Sequence, residues 1–111
     1  MKIETEQRCA VTLVKPDGPL SGPDADELRV MMSDLIQTHM GRVVLDASDI
    51  PSVDSPGLES LVDIAEQLAQ SGKALKLCAL NETLQQVIDL TGLSPQFEQF
   101  EDANSAIRSF L

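Results

Sequence analysis

The apolar positions of this chain change period several times, and each change marks a predicted element. Residues 1–7 alternate weakly and predict a short edge strand, followed by a stronger β-rich run from Cys9 to Val14. Lys15-Pro16-Asp17-Gly18-Pro19 is dense in turn formers and breaks that run. A short strand or extended turn at Gly18 to Leu20 would give the chain a hairpin-like, antiparallel opening. Ser21-Gly22-Pro23 then announces a helix. Asp24, Asp26 and Glu27 crowd its first turn, where acidic groups suit the positive end of the helix dipole, and Ala25, Leu28, Met31, Met32, Leu35 and Ile36 recur at helical spacing. Val30 and Met40 fall partly off that stripe, and Gly41 ends the helix.

Arg42 to Asp46 is apolar without alternation, as in a central strand buried on both faces. An acidic loop follows. Leu58, Leu61, Val62, Ala65, Leu68 and Ala69 then form a helical stripe opposite Glu59, Asp63, Glu66, Gln67 and Gln70, closed by Ser71-Gly72. Ala74 to Leu80 predicts another strand. Asn81 is a natural N-cap for a helix carrying Leu84, Val87 and Ile88, stopped at Thr91-Gly92. After a turn at Leu93-Ser94-Pro95, Phe97 to Phe100 predicts a last short strand. Asp102 caps a final helix with Ala103, Ala106, Ile107 and Phe110 on one face. Strand–helix–strand units favour parallel pairing, and the opening hairpin makes the sheet mixed. The expectation is an α/β fold of about four to five strands and about four helices, with residues 1–111 as one domain.

Composition narrows the core and the partners. Aromatic residues are 3% of the chain, with no Trp or Tyr, so the core is expected to be aliphatic. Eight Lys and Arg against 18 Asp and Glu give a net charge of −10. Such a surface repels nucleic-acid and membrane phosphates and attracts basic protein surfaces. Cys9 and Cys78 both fall in predicted strands and read as reduced, buried thiols. The first residues have no apolar run after their charge, and no stretch approaches the ~18 apolar residues of a membrane span, so a cytoplasmic protein without membrane insertion is expected.

Candidate chemistry concentrates between Asp46 and Leu58, where a predicted strand end meets a helix start. Asp46, Asp49 and Asp54 would suit a divalent cation if they converged, but three carboxylates in a loop are unremarkable in so acidic a chain. No metal, cofactor or catalytic residue is predicted. The single histidine, His39, falls near the end of the first helix, and no Gly-rich phosphate loop, CxxC pair or HExxH element is present. An enzyme using Ser55 or the Asp46/Asp49/Asp54 cluster is the weaker alternative. Ser55 itself has two compatible readings. As N-cap with Pro56 at N1, its hydroxyl would accept from the amide of Gly57 or Leu58. As a phosphorylation site, it would place added charge at a helix end that tolerates anions.

Taken together, these residues resemble the STAS domains, and among them the single-domain bacterial anti-sigma factor antagonists. The resemblance centres on Val43-Val44-Leu45-Asp46 and Asp54-Ser55-Pro56-Gly57-Leu58, matching an apolar strand ending in Asp, a loop, and Asp-Ser-Ser/Thr-Gly-Leu opening a helix. Gly18-Pro19-Leu20-Ser21 resembles the family's Gly-x-Leu-Asp turn. Gly72 to Leu77 and Val87 to Leu93 resemble its later strand and helix. The resemblance implies a STAS-like mixed sheet and a regulatory binding protein rather than an enzyme. It implies a protein partner that is both anti-sigma factor and serine kinase with an ATPase-type fold, a phosphatase, Ser55 as the phosphorylated residue, and contacts through Ser21, Asp54, Ser55, Pro56, Gly57 and Leu58. A non-phosphorylated STAS subunit paired with an ATPase in a transport or signalling assembly is the alternative within the family. Two positions depart from its pattern. Ser21 stands where Asp is frequent. Pro56 replaces Ser or Thr and has no amide hydrogen, which removes one donor from any phosphate at Ser55.

Overall fold

Strands and helices alternate through most of the chain, and the computed structural model describes all 111 residues. The order is β1 (Lys2–Arg8), β2 (Val11–Asp17), α1 (Gly22–Thr38), β3 (Val43–Asp46), α2 (Ser55–Ala69), β4 (Leu75–Cys78), α3 (Glu82–Leu90), β5 (Phe97–Phe100) and α4 (Ala103–Arg108), with a single 3₁₀ turn at Ser94–Gln96. The five strands form one sheet in the order β1-β2-β3-β4-β5. β1 pairs antiparallel with β2, and the three remaining pairings are parallel. The expected mixed sheet with four helices is the observed architecture.

Side-chain alternation sorts the sheet into two faces. Val14, Val43, Leu45, Leu75, Leu77 and Phe97 point into an 18-residue cluster shared with α1, α2 and α3. Val11, Leu13, Val44 and Cys78 point the other way, onto Ala106 and Ile107 of α4. All four residues of β3 are buried, as its unbroken apolar run predicted. α1 packs against α2, which is why Ile64 and Ser60 are buried while Ala69, on the predicted stripe, is exposed.

Two expectations about the opening are corrected. The antiparallel hairpin is there, but its turn is Cys9-Ala10, and the strand runs through Pro16 to Asp17 rather than stopping at Lys15. Pro16 is tolerated because β2 pairs with β3 only over Thr12–Val14. Cys9 is therefore an exposed turn residue and not a buried strand thiol. Cys78 is buried as expected; loss of water, with the Asp46 and Asp102 carboxylates nearby, pushes its thiol up from 9.0 to about 12.

The strand order carries a consequence for function. Each crossover through α1, α2 and α3 steps one strand in the same direction, so all three helices lie on one face. The order never reverses, and the crevice that a reversal opens between helices on opposite faces does not form. What the carboxyl end of the sheet offers is a rim of loops and helix N-termini.

Candidate functional site

At that rim the loop between β3 and α2 is held from two sides. On one side the Leu20 amide donates to the Ser52 carbonyl at 2.9 Å, and the Asp54 amide donates to the Leu20 carbonyl at 3.2 Å. Leu20 and Val53 thus form a parallel bridge outside the main strands. The Gly18 amide donates to the Asp49 carbonyl at 3.0 Å, extending the seam. On the other side Asn81 works twice: its Nδ2 donates to the Ile50 carbonyl at 3.0 Å while its Oδ1 accepts from the Leu84 amide at 2.8 Å, capping α3. Beneath the loop the floor is apolar, built from Leu20, Leu45, Ile50, Val53, Leu61 and Leu84 among others.

Gly57 explains how closely the two loops approach. A Cβ on this residue would sit 2.2 Å from the Leu20 carbonyl oxygen and 2.6 Å from Val53 Cγ2. Any side chain here would force the Leu20 backbone and the Val53 side chain away from the start of α2. Gly57 is buried and Leu58 half-buried, so the part of the candidate surface that meets solvent is Asp54, Ser55 and Pro56, with Ser21 half-buried beside them. Ser21 is the N-cap residue of α1 by backbone conformation, but its side chain makes no cap bond. The Leu20–Val53 bridge brings the start of α1 alongside the start of α2.

The helix start differs by one residue from the reading that made Ser55 the cap. Asp54 is the N-cap of α2: its Oδ1 accepts from the Gly57 amide at 2.9 Å, and its carbonyl accepts from the Leu58 amide at 2.9 Å. Ser55 becomes N1 and Pro56 N2. Asp and Ser are comparable caps in isolation, so local propensity does not separate them. The Leu20 carbonyl does, by fixing Asp54 in an extended conformation (φ −101°, ψ −175°) one residue earlier. The Ser55 hydroxyl is exposed and takes no part in the cap.

The three loop carboxylates go separate ways. Asp46 is buried and its Oδ1 accepts from the Ser48 amide at 3.0 Å. Asp49 pairs with Lys15 at 3.6 Å, and Asp54 caps α2. No three His, Cys, Asp or Glu side chains are arranged to hold a metal ion. His39 follows the last turn of α1, a 17-residue helix about 25 Å long, whose opposite end is the one beside Ser55. Sequence reasoning found Asn81 as a cap and missed it as a tether; it also missed the Leu20 carbonyl, whose role is made by tertiary contact. The Gly18-Pro19-Leu20-Ser21 turn motif was the available signal.

A STAS domain family model matches residues 2–106. The chain is 24% identical over 110 residues to a provisionally named anti-sigma factor antagonist, BtrV of Bordetella bronchiseptica, covering 99% of this chain and 95% of that one. Its fold superposes on the crystal structure of a provisionally named anti-sigma factor antagonist from Thermotoga maritima with a TM-score of 0.87, at 23% identity, over 96% of this chain and 92% of that one. The phosphorylated form of the Bacillus cell-fate determinant SpoIIAA gives a TM-score of 0.73 at 17% identity, over 99% and 100% of the two chains. No helix is long and apolar enough to cross a membrane.

Proposed function

The chain belongs to the STAS domain family, and from that premise we propose that it works as an anti-sigma factor antagonist: a non-enzymatic, cytoplasmic regulator that binds an anti-sigma factor with serine-kinase activity and is switched at Ser55. The observation that carries the reading is the helix start. Asp54 does the capping, which leaves the neighbouring Ser55 hydroxyl exposed at N1 with no structural task. A kinase can take this oxygen without dismantling the fold. The Ser55 oxygen attacks the γ-phosphorus of ATP, the bond from that phosphorus to ADP breaks, and the hydroxyl proton is released. The product adds about 1.5 to 2 negative charges at pH 7. These appear on the rim formed by Ser21, Asp54, Pro56 and the first turn of α2. A partner surface packed there would face new repulsion and a desolvation cost, and would let go.

Intact mass after incubation with the candidate kinase and ATP tests the assignment. One phosphoryl group per chain is expected on the wild type and none on Ser55→Ala. An equal gain on Ser55→Ala overturns it. Binding of Ser55→Asp to the unmodified protein's partner should be at least tenfold weaker than wild type, a loss of about 1.4 kcal/mol or more. Equal affinity removes the charge switch.

A further inference from the structure

Taking Ser55 as the modified residue, as proposed above, we infer that its phosphate displaces the Asp54 carboxylate from the Gly57 amide, so that phosphorylation exchanges one cap of α2 for another.

The first turn of α2 has few donors to offer. Pro56 has no N–H. The Leu58 amide is engaged with the Asp54 carbonyl, and the Gly57 amide already holds Asp54 Oδ1 at 2.9 Å. Beyond Ser55's own amide, Gly57 is the donor for which two anions would compete. The contest is uneven. A phosphate brings about two charges and three acceptor oxygens, against one charge on the carboxylate, and the positive helix end favours the greater charge. The two anions are attached to adjacent residues, so sharing the site leaves them in close repulsion. Asp54 is free to yield because its side chain is exposed, while its backbone stays fixed through the Leu20 and Leu58 bonds. With the exchange made, the Asp54 carboxylate turns out to solvent beside the phosphate. The rim then presents two anionic groups where it had one engaged carboxylate, and the fold beneath is unchanged.

The test uses full-length protein with phosphoserine installed at position 55 during synthesis, combined with Asp54→Ala. In unmodified protein, Asp54→Ala should lower the folding equilibrium constant about five- to tenfold, the ordinary loss of an N-cap. In the phosphoserine protein the same substitution should change it less than about twofold, because the phosphate has already taken the cap. An equal loss in both backgrounds overturns the exchange. The Gly57 amide resonance supplies a second reading that needs no destabilised variant. It should move on phosphorylation, and a Gly57 amide unmoved by phosphoserine overturns the proposal. Because the phosphate is installed without the kinase, failure here speaks to the cap, whereas a kinase that ignores Ser55 speaks to the function proposed above.

Discussion

A one-residue difference at the start of α2 separates a serine with structural work from a serine without it. Local chemistry made Ser55-Pro56 a good cap and N1 pair, and that chemistry is sound. The chain uses Asp54 because a carbonyl more than thirty residues earlier, that of Leu20, holds the Asp54 amide in place. Gly57 makes this approach possible. Replacing it with alanine would force a Cβ to 2.2 Å from the Leu20 oxygen, a backbone atom that cannot swing aside. Gly57→Ala should therefore cost about 3 kcal/mol, at the upper end of overpacking penalties, although alanine is the better helix former by about 1 kcal/mol. Urea unfolding measures this directly. A stability equal to or above wild type would mean that the Leu20 seam opens without cost. The family motif marks glycine at this position; the reason only glycine fits is tertiary and lies outside any local pattern.

At the scale of elements, the hairpin between β1 and β2 carries identifiable strain. Its two-residue turn places Cys9 at φ 51° and Ala10 at φ 66°, the left-handed region that such hairpins require and that Asn-Gly occupies most easily. Each ordinary residue there costs about 1–2 kcal/mol relative to its preferred conformations. Exchanging Cys9-Ala10 for Asn-Gly should stabilise the protein by about 1–2 kcal/mol, seen as a higher urea midpoint at unchanged slope. A lower midpoint would show that the turn is not under strain. The same turn shows why the opening was the hardest part to read. Cys-Ala carries no turn signal, whereas Pro16-Asp17-Gly18 carries a strong one, so the local pattern puts the break after the strand instead of before it. Elsewhere the apolar period was strong enough to decide: β3, α2 and α3 fall close to their predicted limits. Asn81 and Asp102 cap α3 and α4 as their chemistry suggested, accepting from Leu84 and Ser105 at 2.8 and 2.7 Å. At the site, a helix start within Asp54 to Leu58 was legible, but the division between exposed Ser55 and buried Gly57 was not.

Across the whole molecule, the aliphatic core and the acidic surface act against each other. The sheet is covered on one face by three helices and on the other by the six-residue α4, and no disulfide supports it. Over this core the chain carries a net charge of −10. α2 contains no Lys or Arg, so its exposed Glu59, Asp63 and Glu66 meet no compensating charge on their own helix. The molecule measures 31 × 25 × 25 Å. At about 0.01 M salt the screening length is ~30 Å and nearly every acidic pair on the surface interacts; at about 0.1 M it falls to ~10 Å and only near neighbours do. The unfolded chain spreads the same charges farther apart and gains less from screening. Raising NaCl from about 0.01 to 0.1 M should therefore stabilise the protein, by on the order of 1 kcal/mol, with the urea midpoint rising and the slope unchanged. Chloride is the appropriate salt because sulfate would strengthen apolar burial independently of charge. If attraction within surface ion pairs such as Lys15–Asp49 and Arg8–Glu6 outweighed the long-range repulsion, the midpoint would fall instead. Exposed pairs contribute about 0–1 kcal/mol each, and eight basic residues cannot offset 18 acidic ones, so repulsion decides the sign.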